Sequence, residues 1–197
     1  PMADGLSIQD ASREALAAGA SLRWILDTLA QERVAVPVLL MGYLNPFFAF
    51  GVDRLVAEAA AAGVCGFIVP DLPFEECDLL RGPAEAHGLA LVQLVTPVTP
   101  PDRLRTLAQA SRGFVYAVTM RGTTGTGAIG DEVPEYLARV RSVAKVPVCA
   151  GFGIRASAQV NALAPYTDGV IVGSALLDAV RRGEAPTAFL RGLVSAA

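Results

Sequence analysis

Six apolar runs recur along the chain, at Val34–Met41, Val64–Val69, Leu89–Val95, Phe114–Thr119, Val146–Ala150 and Gly169–Val172. They are nearly continuous rather than alternating, as expected of strands covered on both faces. Between them the apolar positions change to a helical spacing. That spacing predicts helices over Asp53–Ala62, Glu75–Ala86, Asp102–Ala110, Glu135–Val143, Ser157–Leu163 and Ala175–Arg181. Thr99 before Pro100 and Pro101 marks a helix start, and Gly63 and Gly88 mark helix stops. The beginning differs: Pro1–Gly5 reads as a loop, followed by one helix over Ile8–Ala18 and a second, capped by Ser21, running to about Arg33. Pro186–Ser195 reads as a final amphipathic helix. Regular strand–helix alternation with short connections predicts a parallel sheet in an α/β fold. No linker or shift in composition divides residues 1–197, which read as one domain.

Six strands fit two architectures. One is an open, doubly wound sheet. The other is a (β/α)₈ barrel lacking its first two strands, since a whole barrel takes about 250 residues, roughly 30 per βα unit. The chain starts with Pro1, in what reads as the loop after a strand.

Composition narrows the chemistry. Of the 197 residues, 53% are hydrophobic and 18% charged, enough apolar surface for a folded core. The net charge of −3 and the lack of a basic stripe argue against a nucleic-acid partner. Asn45, Pro46, Glu58 and Asp71 interrupt the apolar stretches before any reaches membrane-spanning length. Cys65, Cys77 and Cys149 are scattered, which implies a reducing cytoplasm and buried, inert thiols. A single histidine, His87, leaves no set for a histidine-rich metal site or a Ser-His-Asp hydrolase. His87 sits at a predicted helix C-terminus, where a cation suits the dipole. The single lysine, Lys145, precedes its strand and so lies at the end opposite the catalytic rim, against a Schiff-base aldolase. No metal or cofactor is called for.

Functional residues in parallel α/β folds gather at the carboxyl ends of the strands. Tyr116–Thr119 runs into Met120–Gly127, a long Gly/Thr loop of the kind that serves as a lid or clamp. The next strand ends Gly151-Phe152-Gly153-Ile154, and the last ends Val172-Gly173-Ser174-Ala175. Two glycine turns after consecutive strands, each before a helix N-terminus, make a phosphate-binding arrangement. Tyr43, Asn45 and Thr96 add polar groups at other strand ends, and Asp71 is either a site acid or a turn-forming cap.

With these residues in view, the run Pro-Met-Ala-Asp-Gly-Leu-Ser-Ile-Gln (Pro1–Gln9) resembles the Asp-Pro-x-Ala-Asp-Gly-Pro-x-Ile-Gln signature of the tryptophan synthase alpha chain family. The match continues, in order, through Leu40–Pro46, Val69–Glu76, the Thr-Gly-Thr-Gly of the loop, Gly-Phe-Gly-Ile and Val-Gly-Ser-Ala. The resemblance implies a (β/α)₈ barrel that cleaves indole-3-glycerol phosphate to indole and glyceraldehyde 3-phosphate, partnered by a pyridoxal-phosphate-dependent beta chain. The six visible strands would then be the third to the eighth.

Roles carry over residue by residue. Asp4 matches the aspartate that accepts the indole N–H and stabilises charge on the ring. Thr124 matches the threonine that orients it on loop closure. Tyr43 and Tyr116 look like pocket residues, Leu40, Leu94 and Phe152 like apolar walls, and Gly125, Gly153, Gly173 and Ser174 like the phosphate cradle. The family's catalytic glutamate lies on the second strand, upstream of Pro1, so the 197-residue chain is expected to be impaired. The loop departs from some relatives at Met120-Arg121-Gly122, and Phe47-Phe48-Ala49-Phe50 divides between partner surface and core. Two alternatives share some features: a sugar-phosphate isomerase barrel with the same glycine turns, and a non-catalytic remnant that only binds a beta-type partner.

Overall fold

The computed structural model describes residues 4–32, 34–119, 132–151 and 153–194. Its strands are β1 (Val38–Met41), β2 (Val64–Ile68), β3 (Ala90–Val95), β4 (Val115–Val118), β5 (Val148–Gly151) and β6 (Gly169–Ile171). Its helices are α1 (Leu6–Ala17), α2 (Leu22–Gln31), α3 (Leu44–Phe50), α4 (Val52–Ala61), α5 (Asp78–Ala86), α6 (Pro101–Ala110), α7 (Val133–Val143), α8 (Ser157–Leu163), α9 (Ser174–Arg181) and α10 (Pro186–Val194).

All six predicted strands form, and proline trims two of them. β1 and β5 begin after Pro37 and Pro147, which have no N–H to give a ladder. Val34 and Val36, expected in β1, are exposed instead. Ser21 caps α2 as predicted, accepting from the Trp24 N–H at 3.1 Å. Gly63 and Gly88 follow α4 and α5 at φ +80° and +71°, the left-handed conformation that ends a helix. Thr99 does not cap α6. Its hydroxyl accepts from the Thr96 N–H at 2.9 Å and so closes the turn before the helix. The predicted Glu75–Ala86 helix is broken into a 3₁₀ turn at Phe74–Glu76 and α5. The short α3 is an addition to the helices that spacing predicted.

The strands are parallel and lie in the order β1-β2-β3-β4-β5-β6. A doubly wound sheet reverses direction at a switch point; this order never does. Every crossover advances one strand in the same right-handed sense, so the sheet curls with its helices on one side. The result is a half-barrel.

Two large cores lie between helices and sheet. Leu55, Val56, Ala59, Phe67 and Leu80 are fully buried in the first, and Val115, Leu137, Val140, Val148 and Ala150 at most 1% exposed in the second. Each of the larger side chains contributes about 1.5–3 kcal/mol by leaving water. The third cluster, Ile68, Val92, Tyr116 and Val118, covers the inner, concave face, with Leu39, Leu94, Phe114 and Ile171 packed against it. Among the described residues no helix is long and apolar enough to cross a membrane. Cys65 is exposed, which corrects the expectation that all three thiols are buried; Cys77 is buried and Cys149 partly so.

Candidate functional site

The rim of the half-barrel is assembled from turns that follow its strands. Gln9, on the first helix, donates through Nε2 to the Asp4 carbonyl oxygen at 2.7 Å, pinning the Asp4-Gly5 turn. Across the chain, β1 ends just before Tyr43, whose phenol donates to the Asp4 carboxylate (Oδ2) at 2.8 Å. Burial, then the hydrogen bond to Asp4, and finally the negative charges of Asp4 and Asp71 push the Tyr43 phenol up to about 12. It therefore remains a donor through the neutral range and holds the carboxylate in one place.

Asp71 resolves into one of its two expected roles. Its Oδ1 accepts the Leu44 N–H at 2.8 Å, one of the orphan donors at the start of α3. The aspartate fastens the turn after β2 to the turn after β1, and so steadies Tyr43 from behind.

On the inner face, Tyr116 lies over β5. A Cβ placed on Gly151 would stand 2.4 Å from the Tyr116 ring, so only glycine admits this contact. Gly151 therefore serves packing, where the sequence suggested approach to a ligand. Burial pushes the Tyr116 phenol up to about 12. Thr119 missed notice as a functional residue. Its hydroxyl and its N–H both donate to the Gly151 carbonyl, at 2.7 and 2.9 Å, clasping the ends of β4 and β5. The signal was a buried threonine closing an apolar strand.

β5 and β6 are neighbours, so the glycine turns that follow them sit side by side. Gly153 has φ +81°, and its carbonyl accepts from Gln159 Nε2 at 3.0 Å. Gly173 precedes α9, accepts from the Leu176 N–H at 2.9 Å, and has nothing within 4 Å of where a Cβ would be. Ser174 is the first residue of α9, where backbone N–H groups have no partner inside the helix. Arg155 and Asp178 form an ion pair between the turn before α8 and α9.

The structure thus brings together Asp4 with Tyr43, Leu94 with Tyr116, and Gly153 with Gly173 and Ser174. It separates Leu40 from the others. Leu40 packs with Phe47 and Phe67 in the core beneath the helices, while its neighbour Leu39 reaches the inner cluster beside Leu94. Thr124, Gly125 and Phe152 lie outside the described residues. His87 stands at the end of α5, exposed, with Nδ1 3.0 Å from the Pro83 carbonyl oxygen. The phenylalanine run divides by face: Phe47 is buried, Phe48 is exposed, and the Phe50 ring has the guanidinium groups of Arg23 and Arg54 over it, 4.8 and 5.0 Å from its centroid.

The profile of the tryptophan synthase alpha chain family matches residues 1–191. A tryptophan synthase alpha chain of Acidiphilium cryptum is 43% identical over 203 aligned positions, covering 98% of this chain and 74% of the relative. One from Nitratidesulfovibrio vulgaris is 44% identical, covering 97% and 76%. A solved Mycobacterium tuberculosis tryptophan synthase superposes with a TM-score of 0.89 at 37% identity, covering 99% of this chain and 76% of the other. In a tryptophan synthase complex from Pyrococcus furiosus the TM-score is 0.88 at 30% identity, covering 99% and 82%. Motif order, the sequential parallel half-barrel and identity along nearly the whole length converge, and the chain belongs to the tryptophan synthase alpha chain family.

Proposed function

We propose that this chain is the alpha subunit of a cytoplasmic tryptophan synthase heterotetramer: a carbon–carbon lyase that cleaves indole-3-glycerol phosphate to indole and glyceraldehyde 3-phosphate beside a beta chain. The observation that carries this reading is the Tyr43–Asp4 hydrogen bond, which fixes a carboxylate at the rim. The retro-aldol cleavage requires protonation at indole C3, deprotonation of the glycerol hydroxyl and help at the indole N–H. Asp4 accepts the N–H and offsets positive charge developing on the ring, an electrostatic role that gains from a preorganised acceptor. Tyr43 does not touch the reacting atoms in this scheme; it positions Asp4. Leu94 and Tyr116, with Phe152, wall the indole. Gly153, Gly173 and Ser174, with Gly125, hold the phosphate through backbone N–H groups at the ends of neighbouring strands. Thr124 orients Asp4 as the loop closes and excludes water. Leu40 supports this wall only from the core behind it.

The proton at carbon needs a second acid/base, which the family resemblance places on a glutamate outside these 197 residues. Asp71, the nearest alternative, is engaged with the Leu44 N–H. The 197-residue polypeptide alone should therefore release little indole, because a positioned acid/base is worth on the order of 10²–10⁴ in rate. The test is indole release by three proteins: this polypeptide, the chain extended upstream with a family segment carrying the glutamate, and the extended chain with Asp4→Asn. Activity should appear only in the second, with indolepropanol phosphate binding nearly unchanged in the third. Robust turnover by the first, or an indifferent Asp4→Asn, would mean that the acids are wrongly assigned. Stimulation of a beta chain without turnover by the extended chain would favour a partner-binding role alone.

A further inference from the structure

Asp4 lies ahead of β1, whereas the glycine turns follow β5 and β6, so no strand pairing joins the two parts of the proposed site. A pair of helices does. Ser174, Asp178 and Arg181 are spaced i, i+4, i+7 and share one side of α9. α9 packs against α1. Arg181 donates to the Glu14 carboxylate at 2.8 Å, toward the far end of α1. In the first turn of α1, the Ser7 hydroxyl hydrogen-bonds the Asp178 carboxylate. Early residue meets early and late meets late, so the helices run in the same direction and both start at the rim.

Asp178 has a further partner. Arg155, in the turn after β5, forms an ion pair with it. The same turn is knotted by Gln159, whose Oε1 accepts the Arg155 and Ala156 N–H groups at 2.7 and 3.1 Å. Gln159 Nε2 donates to the Gly153 carbonyl at 3.0 Å. One carboxylate thus ties together the Gly153 turn, the helix that Ser174 begins, and the first turn of α1, three positions beyond Asp4. Its side chain is only 22% exposed. Burial alone would raise the carboxyl, but the hydrogen bonds from Arg155 and Ser7, with the charges of Arg155 and Arg182, hold it below the ordinary value. An apolar side chain would serve packing alone, whereas an ionised carboxylate fixes its donors in direction as well as contact.

The geometry points to Asp178 as a positioning residue that couples the phosphate cradle to Asp4: phosphate held at Gly153 and Ser174 fixes the start of α9, and through the Asp178 carboxylate fixes the first turn of α1 and the Asp4 turn before it. This rests on the roles proposed above for the cradle and Asp4, and adds that the phosphate half of the substrate serves rate as well as affinity. Binding energy from a part of the substrate remote from the reacting atoms is then spent on orienting the acceptor for the indole N–H.

The test uses the upstream-extended chain, ¹⁵N-labelled, with inorganic phosphate as the probe. Phosphate should shift the Ser174 N–H and, at the same midpoint, the Gly5 N–H. Asp178→Ala should keep the Ser174 midpoint within about twofold and cut the Gly5 shift about threefold or more. In indole release it should lower kcat about tenfold with KM within about twofold, the split expected when alignment for the transition state is lost. Ser7→Ala leaves the Arg155–Asp178 pair in place and should lose the Gly5 response in the same way, which keeps the test valid if Asp178→Ala misfolds. A Ser174 response without a Gly5 response in the parent would overturn the coupling and leave the phosphate role standing; a silent Ser174 would overturn both. Unchanged Gly5 shifts in the variants, or a loss falling on KM alone, would reduce Asp178 to a structural ion pair.

Discussion

Gly151→Ala tests whether the inner face is built as described. The added methyl would sit 2.4 Å from Tyr116 Cε2, 2.7 Å from its Oη and 2.8 Å from Cζ, all inside contact distance. The ring has little room to retreat: Tyr116 is 5% exposed and packs against Phe114, centroid to centroid 6.5 Å. Overpacking of this kind typically costs about 1–3 kcal/mol. Gly151 sits in a strand with no left-handed backbone, so alanine brings a compensating gain of about 0.4–1 kcal/mol by restricting the unfolded chain. The net loss should be about 1–2 kcal/mol, or roughly 2–8 °C in midpoint for a domain of this size. Urea denaturation followed by circular dichroism measures it. The decisive arm repeats Gly151→Ala in a Tyr116→Ala background. Tyr116→Ala alone should destabilise through the cavity it leaves. With the ring gone, Gly151→Ala should become neutral or stabilising, a coupling of about 2 kcal/mol between residues in contact. Equal costs in both backgrounds would show that Tyr116 does not lie over Gly151.

Two further outcomes follow from hydrogen bonds and ion pairs at the rim and the helix layer. Tyr43→Phe removes the donor to Asp4 without changing shape; losing about 1–1.5 kcal/mol of preorganisation should lower indole release by the upstream-extended chain roughly five- to tenfold, with indolepropanol phosphate affinity by calorimetry nearly unchanged. The hydrogen bonds from Arg23, then Arg54, hold the Glu58 carboxyl down at about 2 from an ordinary 4.5. A depressed carboxylate contributes stability above the unfolded value and loses it as pH falls through the folded one. The native chain should therefore lose midpoint between about pH 4.5 and 2, Glu58→Gln should flatten that part of the profile, and added salt should shrink the difference, since the triad is near the surface.

Much of the fold was legible because its signals are local. Strands covered on both faces read as apolar runs, glycines after helices read as stops, and alternation of the two periods implied a parallel sheet. The rim motifs were legible for the same reason: a turn that needs glycine, or a helix start, writes itself within a few residues. Pro37 and Pro147 trim two strands for an equally local reason, having no N–H to give a ladder.

The rest depended on neighbours distant in sequence. A strand apolar on both sides does not say which side faces the helices, so Leu40 and Leu39 could be assigned to core and inner face only once α3 and β2 were in place. Asp71 has a side chain suited to either a site or a turn, and Thr99 reads as a helix start; only the positions of the Leu44 and Thr96 N–H groups decided what each does. Asp4 meets Tyr43 across 39 positions, and Tyr116 meets Gly151 across two strands. The sequence by itself determined the order of elements, the parallel sheet and the family motifs, because local chemistry specifies periods and turns. Only the tertiary structure decided the direction of winding, the partner of each polar group and the face of each apolar one, because those are properties of pairs that the curled sheet brings together.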